Sequence, residues 1–244
     1  MRLLQRDANG DFSLVEFWRE IPPYAILSHT WGPNSEEVSF KDIDERIGRN
    51  KPGFNKLRFC ADQAAKDGLR YFWIDTCCID KSSSAELSEA TNSMFTCYRN
   101  PTRCYVYLVD ILIQPSRSHL AVDEDSSEKM WKSAFRKSGW FTRGWTLQEL
   151  LAPSSVDFFT LESKHLGSKY TLLGDINAAT TISPRALQST LVPSDFTIEE
   201  RMSWATGRET KRDEDRVYSL LGLFGVHMPL LYGEGRTKAL VRLY

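Results

Sequence analysis

Apolar residues in this chain gather into short continuous runs, and between the runs they recur at helical spacing. Tyr24-Ala25-Ile26-Leu27-Ser28-His29, Tyr71-Phe72-Trp73-Ile74-Asp75 and Cys104-Tyr105-Val106-Tyr107-Leu108-Val109-Asp110 are such runs, and a fourth, Val156-Asp157-Phe158-Phe159, lies near 155–160. Runs that are continuous rather than alternating suit strands buried on both faces, as in a parallel sheet. Phe54 to Asp67 has the helical period, with Leu57, Cys60, Ala61, Ala64 and Ala65 on one face and Gly68 where a C-terminal cap belongs. Ser83 and Glu86 have the spacing of a capping box, and the helix they open carries Leu87, Ala90, Met94, Phe95 and Tyr98 on one side until Asn100-Pro101 stops it. Strand and helix therefore alternate, which predicts an α/β fold with a mostly parallel sheet flanked by helices.

Two regions lie outside that alternation. Arg2-Leu3-Leu4 and Phe12-Ser13-Leu14-Val15 flank Asn9-Gly10, so residues 1–20 read as a hairpin. From Leu166 onward the pattern changes to helices. Tyr170 to Ala179, a short helix with proline in its first turn at Ser183-Pro184, a capping box at Thr197 and Glu200, and Asp213 to Leu223 are the candidates. Tyr232-Gly233-Glu234-Gly235 is a turn, and Thr237 to Tyr244 is helical to the last residue. The expected organisation is a single domain, 1–244: an N-terminal hairpin over 1–20, an α/β core over 21–165 and a C-terminal helical extension over 166–244. Residues 113–130, rich in serine and acid, read as a surface loop. Because the sequence stops inside a helical pattern, it is expected to be a piece of a longer chain.

With 244 residues and 41% hydrophobic content, a sizeable core is affordable. The net charge of −1 gives no general basic field, so nucleic acid is not an expected partner. No apolar run approaches membrane-spanning length, and the N-terminus turns to charge too early for a secretory signal, so stable membrane insertion is not expected. Cys60, Cys77, Cys78, Cys97 and Cys104 are odd in number and lack C-x-x-C spacing, which argues against a disulfide framework and a zinc site. Reduced, mostly buried thiols and a cytoplasmic location are the expectation.

In parallel α/β sheets ligands sit outside the carboxyl ends of the strands. The chemically active residues cluster there: Ser28, His29, Thr30 and Trp31 after the first main strand, Asp75, Cys77, Cys78 and Asp80 after the second, Asp110 after the third. There is no P-loop, no G-x-G-x-x-G fingerprint and no G-x-S-x-G elbow. Cys77 or Cys78 with His29 would make a thiolate pair, but packing beneath the loop is the stronger expectation for both thiols. His227 lies in an apolar segment and reads as a core histidine, whereas His119 and His165 read as exposed. Asp75 and Asp80 suit a ribose hydroxyl or a cation, and Asp80 equally suits an Asx turn. The stretch Ser138-Gly139-Trp140-Phe141-Thr142-Arg143-Gly144-Trp145-Thr146-Leu147-Gln148-Glu149-Leu150-Leu151-Ala152-Pro153 brackets Arg143 with tryptophans and places one acid, Glu149, on a short apolar helix. Arg143 suits a phosphate or a stack on Trp140 or Trp145. Glu149 is a catalyst or an ordinary solvated helix residue.

Several of these stretches, in order, resemble the fungal heterokaryon-incompatibility (HET) domain. They are Tyr24 to Gly32, Trp73 to Lys81, Arg143 to Pro153, Arg201-Met202-Ser203-Trp204-Ala205, Asp213 to Gly222 and Tyr232 to Gly235. The resemblance implies a cell-death effector domain. Its implied partners are other copies of itself, NACHT and WD-repeat regions further along the same chain, and an incompatibility partner protein. HET domains are in turn distantly similar to TIR domains, which implies a TIR-like (flavodoxin-like) core. On that second resemblance Glu149 matches the glutamate that cleaves NAD at the nicotinamide–ribose bond, with Trp145 beside it. The implied site is then Glu149 as the catalytic group, with Ser28, His29, Thr30, Trp31, Asp75, Cys77, Asp80, Arg143 and Trp145 binding substrate. NAD is the implied substrate, and neither a bound cofactor nor a metal is expected. TIR folds also serve as pure interaction modules, so a non-enzymatic adaptor that recruits a downstream death effector stays open beside the hydrolase.

Overall fold

The computed structural model describes residues 1–113, 124–188 and 193–243. In chain order the elements begin β1 (Arg2–Arg6), β2 (Phe12–Glu16), β3 (Tyr24–His29), α1 (Phe40–Asp44), α2 (Phe54–Lys66), β4 (Tyr71–Trp73) and α3 (Asp75–Cys78). They continue with α4 (Ser84–Arg99), β5 (Arg103–Leu108), α5 (Glu124–Arg136), α6 (Thr146–Leu151), β6 (Val156–Thr160) and β7 (His165–Ser168). The last part holds α7 (Leu173–Thr180), α8 (Pro184–Leu187), α9 (Ile198–Ser203), α10 (Asp215–Tyr218), α11 (Leu221–Phe224) and α12 (Gly235–Leu243).

These strands form one seven-stranded sheet in the order β2-β1-β4-β3-β5-β6-β7. The middle four, β4-β3-β5-β6, are parallel, and the β1–β2 hairpin and β7 extend the sheet antiparallel at its two edges. Every residue of β3 is buried, as its continuous apolar run requires for a central strand. Helix α2 packs on β3, β4 and β5, where Phe59 meets Tyr105, Tyr107 and Phe159. The opposite face carries α6 on β3, with α4 against α6, and there Trp140 meets Phe158 edge-on at 5.7 Å. Side chains alternate between faces along a strand. Ser28 is paired with Val106, two residues along from Ile26–Cys104, and therefore faces the same side as Cys104 and α6. The connection after β3 runs to one side of the sheet and that after β4 to the other. A crevice consequently opens at the carboxyl ends of β3 and β5.

The expected α/β fold with a mostly parallel sheet stands, its parallel strands at the centre. Other expectations change. Residues 166–168, expected at the start of the helical extension, form with His165 the edge strand β7 against β6, with a register shift at Phe158/Phe159; edge pairing is supplied by the neighbour and leaves little local pattern. Within 113–130, residues 114–123 lie outside the described part, but 124 onward is helix α5 rather than loop. Its Trp131 and Phe135 stand four apart, and Phe135 is fully buried against Phe141 and Phe158. The segment after β4 is a single helical turn, α3, not an open loop. Asp213 to Leu223 breaks into α10 and α11 at Ser219-Leu220. His227 is exposed rather than core, because the segment around it runs along the surface, and His119 lies outside the described residues. The Thr197–Glu200 capping box forms in full, whereas Glu86 caps only through its N–H and turns its carboxylate to the Asp80 N–H and to Arg2. The five cysteines are free, and all but Cys97 are buried. Among the described residues no helix is long and apolar enough to cross a membrane.

One glycine sets how closely the C-terminal helices approach the core. A Cβ added at Gly222 of α11 would stand 2.0 Å from Cβ of Phe95 in α4 and 2.9 Å from Oε1 of Gln148 in α6. The Phe95 Cβ cannot retreat without moving α4. Gly222→Ala is therefore expected to destabilise the fold by about 1–3 kcal/mol, as overpacking does. The denaturation midpoint will fall measurably; an unchanged midpoint would show that α11 is loosely held.

Candidate functional site

The site is assembled from the stretch 138–151 folded back onto the end of β3. Ser138 donates to Oδ1 of Asp110 (2.8 Å), just beyond β5, and Oδ2 of Asp110 accepts the Gly139 N–H at 2.7 Å. Ser138 also caps the single 3₁₀ turn Gly139–Thr142 by accepting the Trp140 N–H. This turn pushes Trp140 into the core, 1% exposed, with its indole Nε1 donating to Ser28 Oγ at 2.8 Å. Ser28 in turn donates to Oε2 of Glu149 on α6. Trp140, Ser28 and Glu149 thus form one directional chain of hydrogen bonds beneath the crevice.

Glu149 is 8% exposed. Burial pushes its carboxyl up to about 8, and the neighbouring Asp75 acts in the same direction, while Ser28, Tyr98 and Arg208 pull it back. At neutral pH the group is therefore mostly the uncharged acid. Arg208, in the C-terminal extension, stands behind it. Its Nη1 donates to the Arg143 carbonyl (2.8 Å) and to Thr146 Oγ1 (3.0 Å), and its Nε donates to the Trp204 carbonyl (3.1 Å). Further ties from the extension hold α6: Gln148 donates to the Ser219 carbonyl at 2.6 Å, and the Gly144 N–H to the Glu209 carbonyl at 2.8 Å. The wholly buried Lys169 donates to the Leu150 and Pro153 carbonyls at the end of α6, where unpaired carbonyls favour a cation.

In front of Glu149 lies a cleft of about 810 Å³ of empty volume, its open mouth included. His29, Trp31, Asp75, Arg143, Trp145 and Glu149 line it, with Ser28 held against Glu149 from below. Three expected residues do not reach it. Thr30 offers only its carbonyl, to Lys56 at 3.1 Å. Cys77 is buried behind the wall, donating from Sγ to the Val38 carbonyl, and burial pushes its thiol up to about 12. Asp80 accepts from the N–H and hydroxyl of Ser82, the Asx-turn alternative. Cys78 is equally buried and is raised well above its ordinary range, so no thiolate pairs with His29. His29 itself is driven down to about 3 by burial, by Lys56 and by Lys81, against the pull of Glu37. Its ring is neutral, and Nε2, 3.9 Å from Glu37, is buried without a hydrogen-bond partner.

The mouth is more cationic than the sequence suggested. Lys81 lies 3.6 Å from the centre of the Trp31 ring and 3.7 Å from Asp75, and Lys211 lies 5.5 Å from the same ring. Arg143 stacks on neither Trp140 nor Trp145, and among the described residues its guanidinium makes no ion pair. The far wall comes from the extension: Tyr232, set by the Tyr-Gly-Glu-Gly turn, donates to Asp215 at 3.0 Å. Lys81, Lys211, Asp215 and Tyr232 were missed. Tyr232 and Asp215 sit within motifs that the resemblance had already marked, but their place in the cleft depends on the extension folding back. Among the described residues no group of three His, Cys, Asp or Glu side chains is placed to hold a metal ion.

The family model described as heterokaryon incompatibility protein (HET) matches residues 24–112. The vegetative incompatibility protein HET-E-1 of Podospora anserina is 53% identical over 245 residues, covering 100% of this chain and 18% of that protein. The chain belongs to the HET family. It spans about one-fifth of the length of that curated relative, 18%. No solved structure matches. The HET match contains β3, β4 and β5 with Ser28, His29, Trp31 and Asp75, whereas Glu149 and its tryptophans lie beyond it, within the stretch shared with HET-E-1.

The raised carboxyl of Glu149 makes stability depend on pH. Its folded value, about 8, exceeds the ordinary 4.5, so the stabilisation of the neutral acid is complete below pH 4.5 and is lost as pH rises through about 8. Glu149→Gln keeps an uncharged acceptor for Ser28. The variant is expected to melt at least as high as the wild type at pH 8.5, with a flatter dependence of melting temperature on pH between about 5 and 8. A variant that melts lower than wild type throughout that window would show that Glu149 is ionised at rest.

Proposed function

We propose that this HET domain is the cell-death effector of a larger cytoplasmic vegetative-incompatibility protein, and that it cleaves NAD at the nicotinamide–ribose bond when copies are brought together. The observation that carries this proposal is the buried Trp140–Ser28–Glu149 chain at the carboxyl ends of the parallel strands. Further support comes from the order β4-β3-β5-β6, which is that of the first four strands of a flavodoxin-like or TIR-like sheet. The mouth suits the substrate class: Trp31 and Trp145 offer flat faces, Lys81, Lys211 and Arg143 suit a diphosphate, and Asp75 suits ribose hydroxyls.

In this scheme the C1′–N bond breaks and its electron pair leaves with nicotinamide, which departs neutral. Glu149, as carboxylate, faces the positive charge that develops on the ribose ring, and water adds at C1′ with loss of a proton, giving ADP-ribose. The pyridinium cation of bound NAD favours ionisation of Glu149, so charge on the acid appears when substrate does. Linked copies would raise the local concentration of a weakly associating domain, which is how NACHT and WD-repeat regions of a longer chain would switch it on.

The buried, uncharged resting state of Glu149 also favours a second possibility, a structural tie in an adaptor that recruits another killer protein. One experiment separates the two. The domain, fused to an oligomerising module, is incubated with NAD and nicotinamide release is followed from pH 6 to 9. Hydrolysis is expected, with kcat/KM rising about tenfold per pH unit below the Glu149 transition and levelling above it. Glu149→Gln is expected to lower kcat by about 10²–10³ and to abolish killing. Killing by Glu149→Gln at wild-type level would establish the adaptor. Loss of killing by Glu149→Gln while the wild type consumes no NAD would exclude this substrate.

A further inference from the structure

A second cavity lies behind the segment that carries Glu149. It has about 1100 Å³ of empty volume, its open side included, and it is built from the C-terminal extension with Gly144 in its inner wall. Three arginines border it, Arg208, Arg216 and Arg236, against one acid, Glu199. The Glu199 carboxylate is occupied at the start of α9, where the local backbone N–H and Thr197 hold it below its ordinary range. Arg216 and Arg236 are exposed, and neither forms an ion pair among the described residues. Arg236 stands in the first turn of α12, whose Gly235 N–H is already taken by the Glu214 carboxylate at 3.0 Å. Arg208 is 7% exposed, and its Nη2 is buried with no hydrogen-bond partner although Nε and Nη1 are fully used. Met202, Leu220 and Leu240 supply an apolar floor.

A protein of net charge −1 has no need to gather uncompensated guanidiniums around one hollow. The exposed guanidiniums of Arg216 and Arg236 are open to an oxyanion, the planar fork of arginine suits phosphate oxygens, and the orphaned Nη2 of Arg208 leaves buried positive charge behind them. We propose that this cavity binds a phosphate-bearing small molecule with at least two negative charges and an apolar or aromatic body. The site is distinct from the Glu149 cleft and does not depend on what that cleft hydrolyses. The two hollows share a wall. Arg143, Thr146 and Glu149 face the cleft, while Gly144 and Arg208 face the cavity, and Arg208 joins the two by bonding Arg143 and Thr146. A ligand on the arginines therefore braces the segment from behind, as an effector would.

The test is isothermal titration of the purified chain with sodium pyrophosphate, and separately with ADP, at constant ionic strength. The wild type is compared with the double variants Arg216→Gln/Arg236→Gln and Lys81→Gln/Lys211→Gln. Arg216, Arg236 and Lys211 are exposed and Lys81 is half-buried, and thermal melts by circular dichroism check that each variant keeps its fold. Lys81→Gln/Lys211→Gln removes front-cleft cations that suit a diphosphate, and it is expected to weaken binding there while keeping the rear-cavity pyrophosphate site of the wild type. Arg216→Gln/Arg236→Gln is expected to bind roughly tenfold more weakly for each arginine lost, the size of a charge-assisted hydrogen bond. ADP is expected to bind more tightly than pyrophosphate, because its base covers the apolar floor. Wild-type affinity in Arg216→Gln/Arg236→Gln would overturn the proposal. So would an absence of binding at millimolar pyrophosphate, or loss of binding only in Lys81→Gln/Lys211→Gln, which would place the anion in the front cleft.

Discussion

The hydrogen bond from Ser28 to Glu149 is the interaction on which the site depends. A carboxyl buried in an α/β core is costly unless its hydrogen bonds are supplied, and removing one partner exposes that cost in full. Here the partner is a hydroxyl on the most buried strand of the sheet, and that hydroxyl is oriented by the indole N–H of a fully buried tryptophan. Trp140 has only an N–H to give, so Ser28 accepts from it and its own hydroxyl hydrogen is left for Glu149. The acid is held uncharged at rest, close to a cleft whose mouth is lined with cations.

What holds Glu149 in that position comes largely from the other end of the chain. Arg208, Glu209 and Ser219 bind the Arg143–Gln148 segment through backbone and side-chain hydrogen bonds, and Lys169 closes the carbonyls at the end of α6. A helix of six residues is too short to be stable alone, so α6 takes its order from these contacts. The extension is accordingly part of the site. It supplies Asp215, Tyr232 and Lys211 to the cleft, and it separates the front hollow from the arginine-lined one behind. A change in how the extension packs would reach Glu149 directly, through bonds that end one to six residues from it.

Much of the fold was legible in the residues because local physics dominates there. The three buried runs that became β3, β4 and β5, the amphipathic faces of α2 and α4 and the hairpin at the N-terminus are patterns whose period or turn chemistry is complete within a few residues. Features that need a distant neighbour were less visible. β7 pairs only because β6 offers an open edge, α5 declares itself through Phe135 only once Phe141 and Phe158 are beside it, and α10 and α11 separate where packing on α4 demands a break.

The same division holds for the site. By itself the sequence determined which chemistry is on hand: a lone acid on a tryptophan-flanked apolar helix, an arginine beside it, and polar residues at the carboxyl ends of three buried strands. That those ends converge follows from parallel topology. Only the tertiary structure decided which of these residues face the cleft. A one-residue step along a strand turns a side chain to the other face, and a single turn of helix after β4 sends Asp75 forward and Cys77 back. Only the tertiary structure could also bring residues 208–232 against residues 143–149, because contacts between segments so far apart in sequence leave no periodic trace in either one.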